Sequence, residues 1–286
     1  MLKKTPYRRK RLGQVFLRDA HVVADILQRA ALAPDDTVLE IGPGRGIMTT
    51  ALAERVQALY AIEIDPQYAR PLQAHFASVG HVTIIEADAR FYDYALLPSP
   101  LVVVANLPYS VGLAIVQRLL AFRQRLSRLV LMLQKEVATR LLAAPGDSAY
   151  GAVSVFFQYH AQLRHLLEVS RQAFTPVPAV DSSVIMMQPF ATPPYLAPDE
   201  RWLFRLVKSA FAHRRKTLRA NLLAAFPQTL TRTMLAEIYT ALTLTEHARA
   251  QELTLQHFVH LAQALAHLST GMPAVPQDMN LDEGVC

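Results

Sequence analysis

The chain has 286 residues, of which 52% are hydrophobic, enough for one large domain and a smaller one with a sizeable buried core. Its one cysteine, Cys286, excludes an intramolecular disulfide framework and a cysteine-based zinc site, which suits a reducing compartment. The net charge of +6 is unevenly placed: residues 1–20 hold Lys3, Lys4, Arg8, Arg9, Lys10, Arg11 and Arg18 against Asp19 alone, a footprint that points to a polyanion.

In chain order, Val22, Val23, Ile26, Leu27 and Ala30 recur at helical spacing and predict a helix over residues 22–32, broken by Pro34-Asp35-Asp36. Short apolar or β-branched runs follow at 37–41, 59–64, 82–85, 101–105 and 129–133, separated by stretches that read as helices. Continuous apolar strands are buried on both faces, so this alternation predicts a parallel sheet covered by helices, with ligands at the carboxyl ends of the strands. Residues 153–157 and 184–187 read as two further strands, the final pair of the sheet. The proline-rich stretch 189–194 sets a domain boundary near residue 192. Beyond it, helical spacing at 202–212, 217–225, 235–242 and 253–268 predicts a small helical domain. The expected organisation is a basic arm (1–20), an α/β domain (21–192), a helical domain (193–270), and a tail (271–286) that has little to bury and is expected to be disordered. The apolar runs are far shorter than the ~20 residues of a bilayer span and the first residues lack an apolar signal core, so a cytoplasmic protein is expected. No long heptad seam is present, and a monomer is expected.

The turn after the first long strand reads Glu40-Ile41-Gly42-Pro43-Gly44-Arg45-Gly46. A dinucleotide fingerprint would need glycine where Ile47 stands, so NAD is disfavoured. The glycine spacing fits an S-adenosylmethionine loop, in which Glu40 can meet the ligand's amine. Glu63, at the end of the second strand, is placed for the two ribose hydroxyls. Asp88, after the third, can accept from the adenine amino group. Each acid alone reads more readily as a helix cap or a surface acid; three at successive strand ends form a constellation.

Asn106-Leu107-Pro108-Tyr109 closes the fourth of these strands and points to methyl transfer onto a planar amine. An exocyclic amine on a nucleobase is a poor nucleophile because its lone pair is delocalised into the ring. The Asn106 amide oxygen and the Leu107 carbonyl can accept the amine hydrogens and free the lone pair. Tyr109 can stack on the base, worth roughly 1–3 kcal/mol. Pro108 is equally compatible with a simple strand-end turn.

A second basic block, residues 201–219, contains Arg201, Arg205, Lys208, Arg214, Arg215, Lys216 and Arg219 and no acid. With Arg8, Arg9, Lys10 and Arg11 of the arm, Arg214, Arg215 and Lys216 are the candidate RNA contacts. Arg118, Arg123, Arg125 and Arg128 are either a further contact or a helix surface. His257 and His260 lie one helical turn apart with His267 beyond, but no cysteine or acid keeps ligand spacing, and no metal site is expected.

These residues resemble the small-subunit ribosomal RNA adenine dimethyltransferases from about residue 11 to 270. The resemblance rests on Gly13-Gln14-Val15-Phe16-Leu17, the glycine turn, Glu63, Asp88, the Asn106 motif and Gln134-Lys135-Glu136-Val137-Ala138. It continues through Tyr150-Gly151, Phe174-Thr175-Pro176-Val177-Pro178 with Val180-Asp181-Ser182, and Phe211 with Arg214-Arg215-Lys216-Thr217-Leu218 and Asn221-Leu222. It implies a Rossmann-like S-adenosylmethionine-dependent methyltransferase domain with a small all-helical C-terminal domain, acting on two adjacent adenines near the 3′ end of small-subunit RNA in an assembling particle. By position, Gln14, Val15 and Leu17 would fold over the cofactor, and Glu40, Gly42, Gly44, Gly46, Glu63, Asp88 and Asn106 would bind it. Phe174 and Tyr109 would sandwich the target adenine. Val15 departs from the Asn or His usual in the family and can offer only backbone. Large-subunit rRNA adenine methyltransferases of the antibiotic-resistance type share the cofactor and Asn-Leu-Pro-Tyr motifs, but residues 211–222 resemble the small-subunit family. A non-catalytic ribosome assembly factor is the other alternative, weakened by the intact Glu63, Asp88, Asn106 and Tyr109.

Overall fold

The computed structural model describes residues 15–266. Arg8, Arg9, Lys10, Arg11 and Gln14, expected to contact RNA and cofactor, lie outside the described residues, as does the tail expected to be disordered.

After a two-residue strand β1 (Phe16–Leu17), helix α1 (Ala20–Ala30) begins at Asp19, whose carboxylate accepts from the amides of His21 and Val22. It ends two residues before its predicted end, because Ala31 turns left-handed (φ 49°) and donates its amide to Gln28 O. Strand β2 (Thr37–Ile41) matches its apolar run residue for residue. Helix α2 (Ile47–Ala53), strand β3 (Ala58–Glu63), helix α3 (Pro66–His75), strand β4 (Val82–Glu86) and strand β5 (Leu101–Asn106) continue the alternation. β2 pairs in parallel with β3 and β5, and β3 with β4. Val38, Leu39, Leu59, Ala61, Ile62 and the whole run Leu101–Ala105 are buried, as expected for parallel strands covered on both faces.

Helix α4 (Gly112–Leu120), strand β6 (Leu126–Gln134) and helix α5 (Lys135–Leu142) follow. The predicted strand at 153–157 is instead the middle of helix α6 (Ala152–His160). Its β-branched and aromatic side chains favour a strand locally, but tertiary packing overrides the preference. Tyr150, Val155 and Tyr159 join a core with Trp202, Leu203 and Phe204. Ser154 fixes the helix start by accepting from Gly151 N and donating to Arg140 O.

The strand that takes the predicted place is β7 (Ala161–Val169), followed by the two-residue β8 (Phe174–Thr175) and by β9 (Ser182–Pro189). The sheet order is β4-β3-β2-β5-β6-β9-β7, and β1 pairs antiparallel with β8 in a separate ribbon.

The remaining helices are α7 (Glu200–Ala210), α8 (Leu218–Ala225), α9 (Arg232–Ala241) and α10 (Leu255–Ala264), close to their predicted spans. Two compact units result. One holds the chain up to Gly112 with Val130–Lys135 and Leu166–Val184; the other holds Leu113–Leu129, Glu136–His165 and the chain from Ile185. The second is built on the α6, α7, α8 and α10 side chains, and its buried Trp202 donates its indole N–H to Ala262 O at 3.1 Å.

In the first unit, Gly46 must be glycine: its φ is +84° and a side-chain carbon there would meet Leu72 of α3 at 2.5 Å. Gly46→Ala is expected to destabilise the fold by about 1–3 kcal/mol in denaturant unfolding, from the left-handed backbone and the clash together. In a Leu72→Ala background the additional loss should shrink toward the backbone cost alone.

Candidate active site

Glu40, the glycine turn, Glu63, Asp88 and Asn106 lie at or just beyond the carboxyl ends of β2, β3, β4 and β5, whereas Leu17 and Phe174 lie on β1 and β8. The turn after β2 runs through three left-handed glycines, Gly42 (φ 71°), Gly44 (φ 54°) and Gly46. It is closed by Gly46 N donating to Pro43 O and secured to β3 by Gly42 N donating to Ile62 O, both at 2.9 Å. A side-chain carbon at Gly42 would stand 3.7 Å from the Asn106 carbonyl oxygen, so the glycine turn and the end of β5 meet backbone to backbone.

Glu63 locks this arrangement. One carboxylate oxygen accepts from Gly44 N at 3.0 Å and the other from Asp65 N at 2.9 Å. The same carboxylate thus serves the turn after β2 and the start of α3, where Asp65 is the N-cap and accepts from Gln67 N. Glu63 is buried, and burial pushes its pKa up while the amides of Asp65 and Gly44 pull it down. The Ile64 amide also acts on it, and with about four lone-pair positions the carboxylate keeps capacity for a further donor.

Glu40 lies deeper, at 2% exposure. Its Oε2 and the neighbouring Thr49 Oγ1 both lack a hydrogen-bond partner. Burial raises its pKa to about 8; the Thr49 hydroxyl works against the rise and the Glu63 charge adds to it.

Asp88 is half-buried and engaged by Arg90. Its Oδ1 accepts from Arg90 N and Nε, and its Oδ2 from the terminal guanidinium nitrogen at 2.6 Å. Partial burial opposes the charge, but the Arg90 hydrogen bonds and charge outweigh it and hold Asp88 below the usual carboxylate range. Arg90 in turn lies 5.2 Å from the centre of the exposed Phe91 ring. Neither partner figured in the sequence reading, although an acid and an arginine two residues apart were visible there.

The β1–β8 ribbon brings the arm and the Phe174 motif together, with Phe16 opposite Thr175 and Leu17 opposite Phe174. Phe16, within the segment 14–17 expected to fold over the cofactor, lies against the turn: its ring would be 3.0 Å from a side-chain carbon at Gly44. Arg45 lies 4.9 Å over the same ring and Tyr68 packs 5.0 Å from it. Leu17 is buried beneath and Val15 is half-buried. A side chain at Gly44 would press on the Phe16 ring, and the left-handed φ of 54° adds to the preference for glycine.

At the end of β5, Leu107 N donates to Met132 O at 3.2 Å and the Leu107 side chain is buried. Pro108 O accepts from Gly112 N at 2.8 Å, turning the chain into α4. The Tyr109 hydroxyl lies 3.3 Å from Ser182 Oγ, a partner 73 residues away. Tyr109 is 36% exposed and Phe174 1%, so of the two predicted stacking rings only Tyr109 offers a face to solvent.

In the second unit, the loop between α7 and α8 carries the remaining candidate RNA contacts. Buried Asn221 donates to Ala210 O at 2.7 Å and His213 O at 3.1 Å, and Thr217 caps α8. Arg214 donates to Ser148 O at 2.6 Å and Tyr150 O at 3.2 Å, so its guanidinium is engaged within the unit. Arg215 and Lys216 are exposed. His257 accepts from Thr254 N as part of the α10 cap. Among the described residues no group of three or more His, Cys, Asp or Glu side chains could hold a metal ion, and no helix is long and apolar enough to cross a membrane.

The model of the family described as ribosomal RNA adenine dimethylase matches residues 7–265. A ribosomal RNA small subunit methyltransferase A from Saccharophagus degradans is 38% identical over 260 residues, covering 90% of this chain and 94% of that one. The protein of that name from Proteus mirabilis is 36% identical over 264 residues, covering 91% and 94%. Among solved structures, a dimethyladenosine transferase from Plasmodium falciparum shares the fold with a TM-score of 0.75 at 23% identity, covering 89% of this chain and 98% of that one. The 23S rRNA methyltransferase ErmE superposes with a TM-score of 0.68 at 26% identity, covering 88% and 99%. With the family model spanning both units and the curated relatives matched over nearly their whole length, the chain belongs to the ribosomal RNA adenine dimethylase family.

Proposed function

We propose that this enzyme uses S-adenosylmethionine to dimethylate the N6 amines of two adjacent adenines near the 3′ end of small-subunit ribosomal RNA, in an assembling ribosomal particle. The observation that carries the reading is the meeting of the left-handed glycine turn with the Asn106-Leu107-Pro108-Tyr109 strand end, in a chain related along its length to small-subunit methyltransferases. The same reading makes it a cytoplasmic monomer. The likeness to ErmE favours large-subunit RNA as the second candidate substrate.

The residues present fit the cofactor. Beside the glycine turn, Glu40 keeps an unpartnered buried oxygen and Glu63 retains acceptor capacity beyond its backbone donors. Glu40 would meet the amine, Glu63 the ribose hydroxyls and Asp88, alongside Arg90, the adenine amino group, while Phe16 and Leu17 would close the turn. When bound, S-adenosylmethionine supplies an electrophilic methyl on a sulfonium.

Asn106 and the Leu107 carbonyl accept the hydrogens of the target amine, turning the nitrogen lone pair out of the ring and toward the methyl. The lone pair so aligned would then take up the methyl that the bound cofactor supplies. The methylated amine is then strongly acidic and gives its proton to water, so a base of tuned pKa is not needed. A monomethylated amine keeps one hydrogen for one acceptor, and the same pair serves the second transfer. Tyr109 stacks on the flipped base, offsetting part of its unstacking cost. Phe174 can add the second face only where its ring becomes uncovered.

Asn106→Ala should lower single-turnover methylation of unmodified small subunits about 10²–10³-fold, the scale of losing one positioned polar group. Its affinity for S-adenosylhomocysteine, measured by calorimetry, should fall much less than turnover. Tyr109→Ala should behave similarly and Tyr109→Phe should retain most activity, because stacking survives without the Ser182 contact; normal turnover in Asn106→Ala would remove the assignment.

For the basic loop, Arg215→Ala and Lys216→Ala are each expected to lower the slope of log affinity for RNA against log salt by about one, with unchanged unfolding. Arg214→Ala should instead lower the unfolding midpoint, because Ser148 and Tyr150 lose their shared donor.

A further inference from the structure

Glu40 is the one residue of the site whose state in the empty protein conflicts with the state its role demands. Its carboxyl is 2% exposed, one oxygen lacks any hydrogen-bond partner, and its register neighbours on the flanking strands are the apolar Ala61 and Val104. The charged group acting on it is Glu63 of β3, a like charge; from α2 it is faced by the neutral Thr49 hydroxyl. The backbone amides of Gly44 and Asp65 are both committed to Glu63. A carboxyl so buried, with an unpartnered oxygen, no cation beside it and a like charge nearby, keeps its proton despite the Thr49 hydroxyl. Consistently, its pKa lies at about 8.

We propose that Glu40 is protonated in the empty enzyme and surrenders that proton when the ammonium group of S-adenosylmethionine docks at the glycine turn, so that cofactor binding is coupled to proton release. This rests on the glycine turn being the cofactor site. The exchange balances: a neutral carboxyl and an ammonium become a carboxylate–ammonium pair, and one proton passes to solvent. The ligand's own α-amino group, with an ordinary pKa of about 7.7–8.0, is mostly protonated at pH 7 and stays so in the pair. Binding then weakens in acid, by about tenfold per pH unit over the range where empty Glu40 is protonated and bound Glu40 is not.

Proton linkage also acts on the fold. A carboxyl whose folded pKa is raised contributes stability that is full below its ordinary value of 4.5 and declines until the pH passes about 8. Glu40→Gln removes this decline while leaving Glu63 in place. Relative to the native protein, the variant should therefore gain stability as the pH rises from 5 to 8.

The test is calorimetric titration of the purified full-length protein with S-adenosylmethionine at pH 7 in phosphate, HEPES and Tris buffers. The dependence of the measured enthalpy on buffer ionisation enthalpy counts the protons exchanged. The native protein is expected to release about one proton, and Glu40→Gln close to none, with affinity that changes little between pH 6 and 7. Unfolding of both proteins between pH 5 and 8 supplies the second readout, independent of ligand. Tight binding with no proton release overturns the proposal and leaves the cofactor site standing. Release that survives unchanged in Glu40→Gln overturns it by assigning the proton elsewhere, and failure of the native protein to bind overturns both the proposal and the site.

Discussion

The parallel register of β2, β3, β4 and β5 is the constraint on which the site depends. Ile41 is opposite both Ile62 and Ala105, and Glu63 is opposite Glu86. The residues that follow therefore emerge on one level: Gly42, Glu63 and Asn106 in adjacent rows, with Asp88 two residues beyond β4. Side chains alternate faces along a strand, so a slip of β3 by one residue would turn Glu63 away from Gly44 and leave the glycine turn without its anchor. The apolar side chains that specify the register are buried on both faces, which ties the placement of polar groups at the edge to the packing of the core.

That placement brings two carboxylates into a water-poor region, and they are treated differently. Glu63 accepts from the Gly44 and Asp65 amides and acts as a fastener, whereas Glu40 has an unpartnered buried oxygen. A buried, unsatisfied polar atom costs on the order of 1–3 kcal/mol, a burden typical of residues kept for binding rather than for stability. Phe16 is a related case. It spans from the β1–β8 ribbon to the face of Gly44, whose left-handed φ and close Phe16 ring favour glycine.

How much of this was legible in the sequence depended on the range of the interactions. β2 to β5 were readable because strands buried on both faces are written as continuous apolar runs. The acids and Asn106 were readable because each lies within such a run or at most three residues after it. β7 was missed because its exposure alternates irregularly, with Gln162, Arg164, His165 and Glu168 in solvent, so no apolar run marks it. The segment Val153-Ser154-Val155-Phe156-Phe157 misled for the opposite reason: local preference favours a strand, and only its contacts with α7 show otherwise. Strands β1 and β8, of two residues each, are too short for any periodicity. Partners distant in sequence, such as Ser182 for Tyr109 or Ser148 for Arg214, leave no local trace. The charge of Arg214 was visible, but its engagement by two carbonyls was not.

The account rests most heavily on the identity of the methylated RNA, because the glycine turn and the Asn106 motif would serve either ribosomal subunit. The direct measurement incubates the protein and S-adenosylmethionine with small subunits from cells lacking the modification, in parallel with large-subunit RNA, and analyses the nucleosides by mass spectrometry. Dimethyladenosine in the small-subunit RNA alone is the predicted result. Methylation confined to large-subunit RNA, or tight binding to small subunits without any methylation, would contradict it.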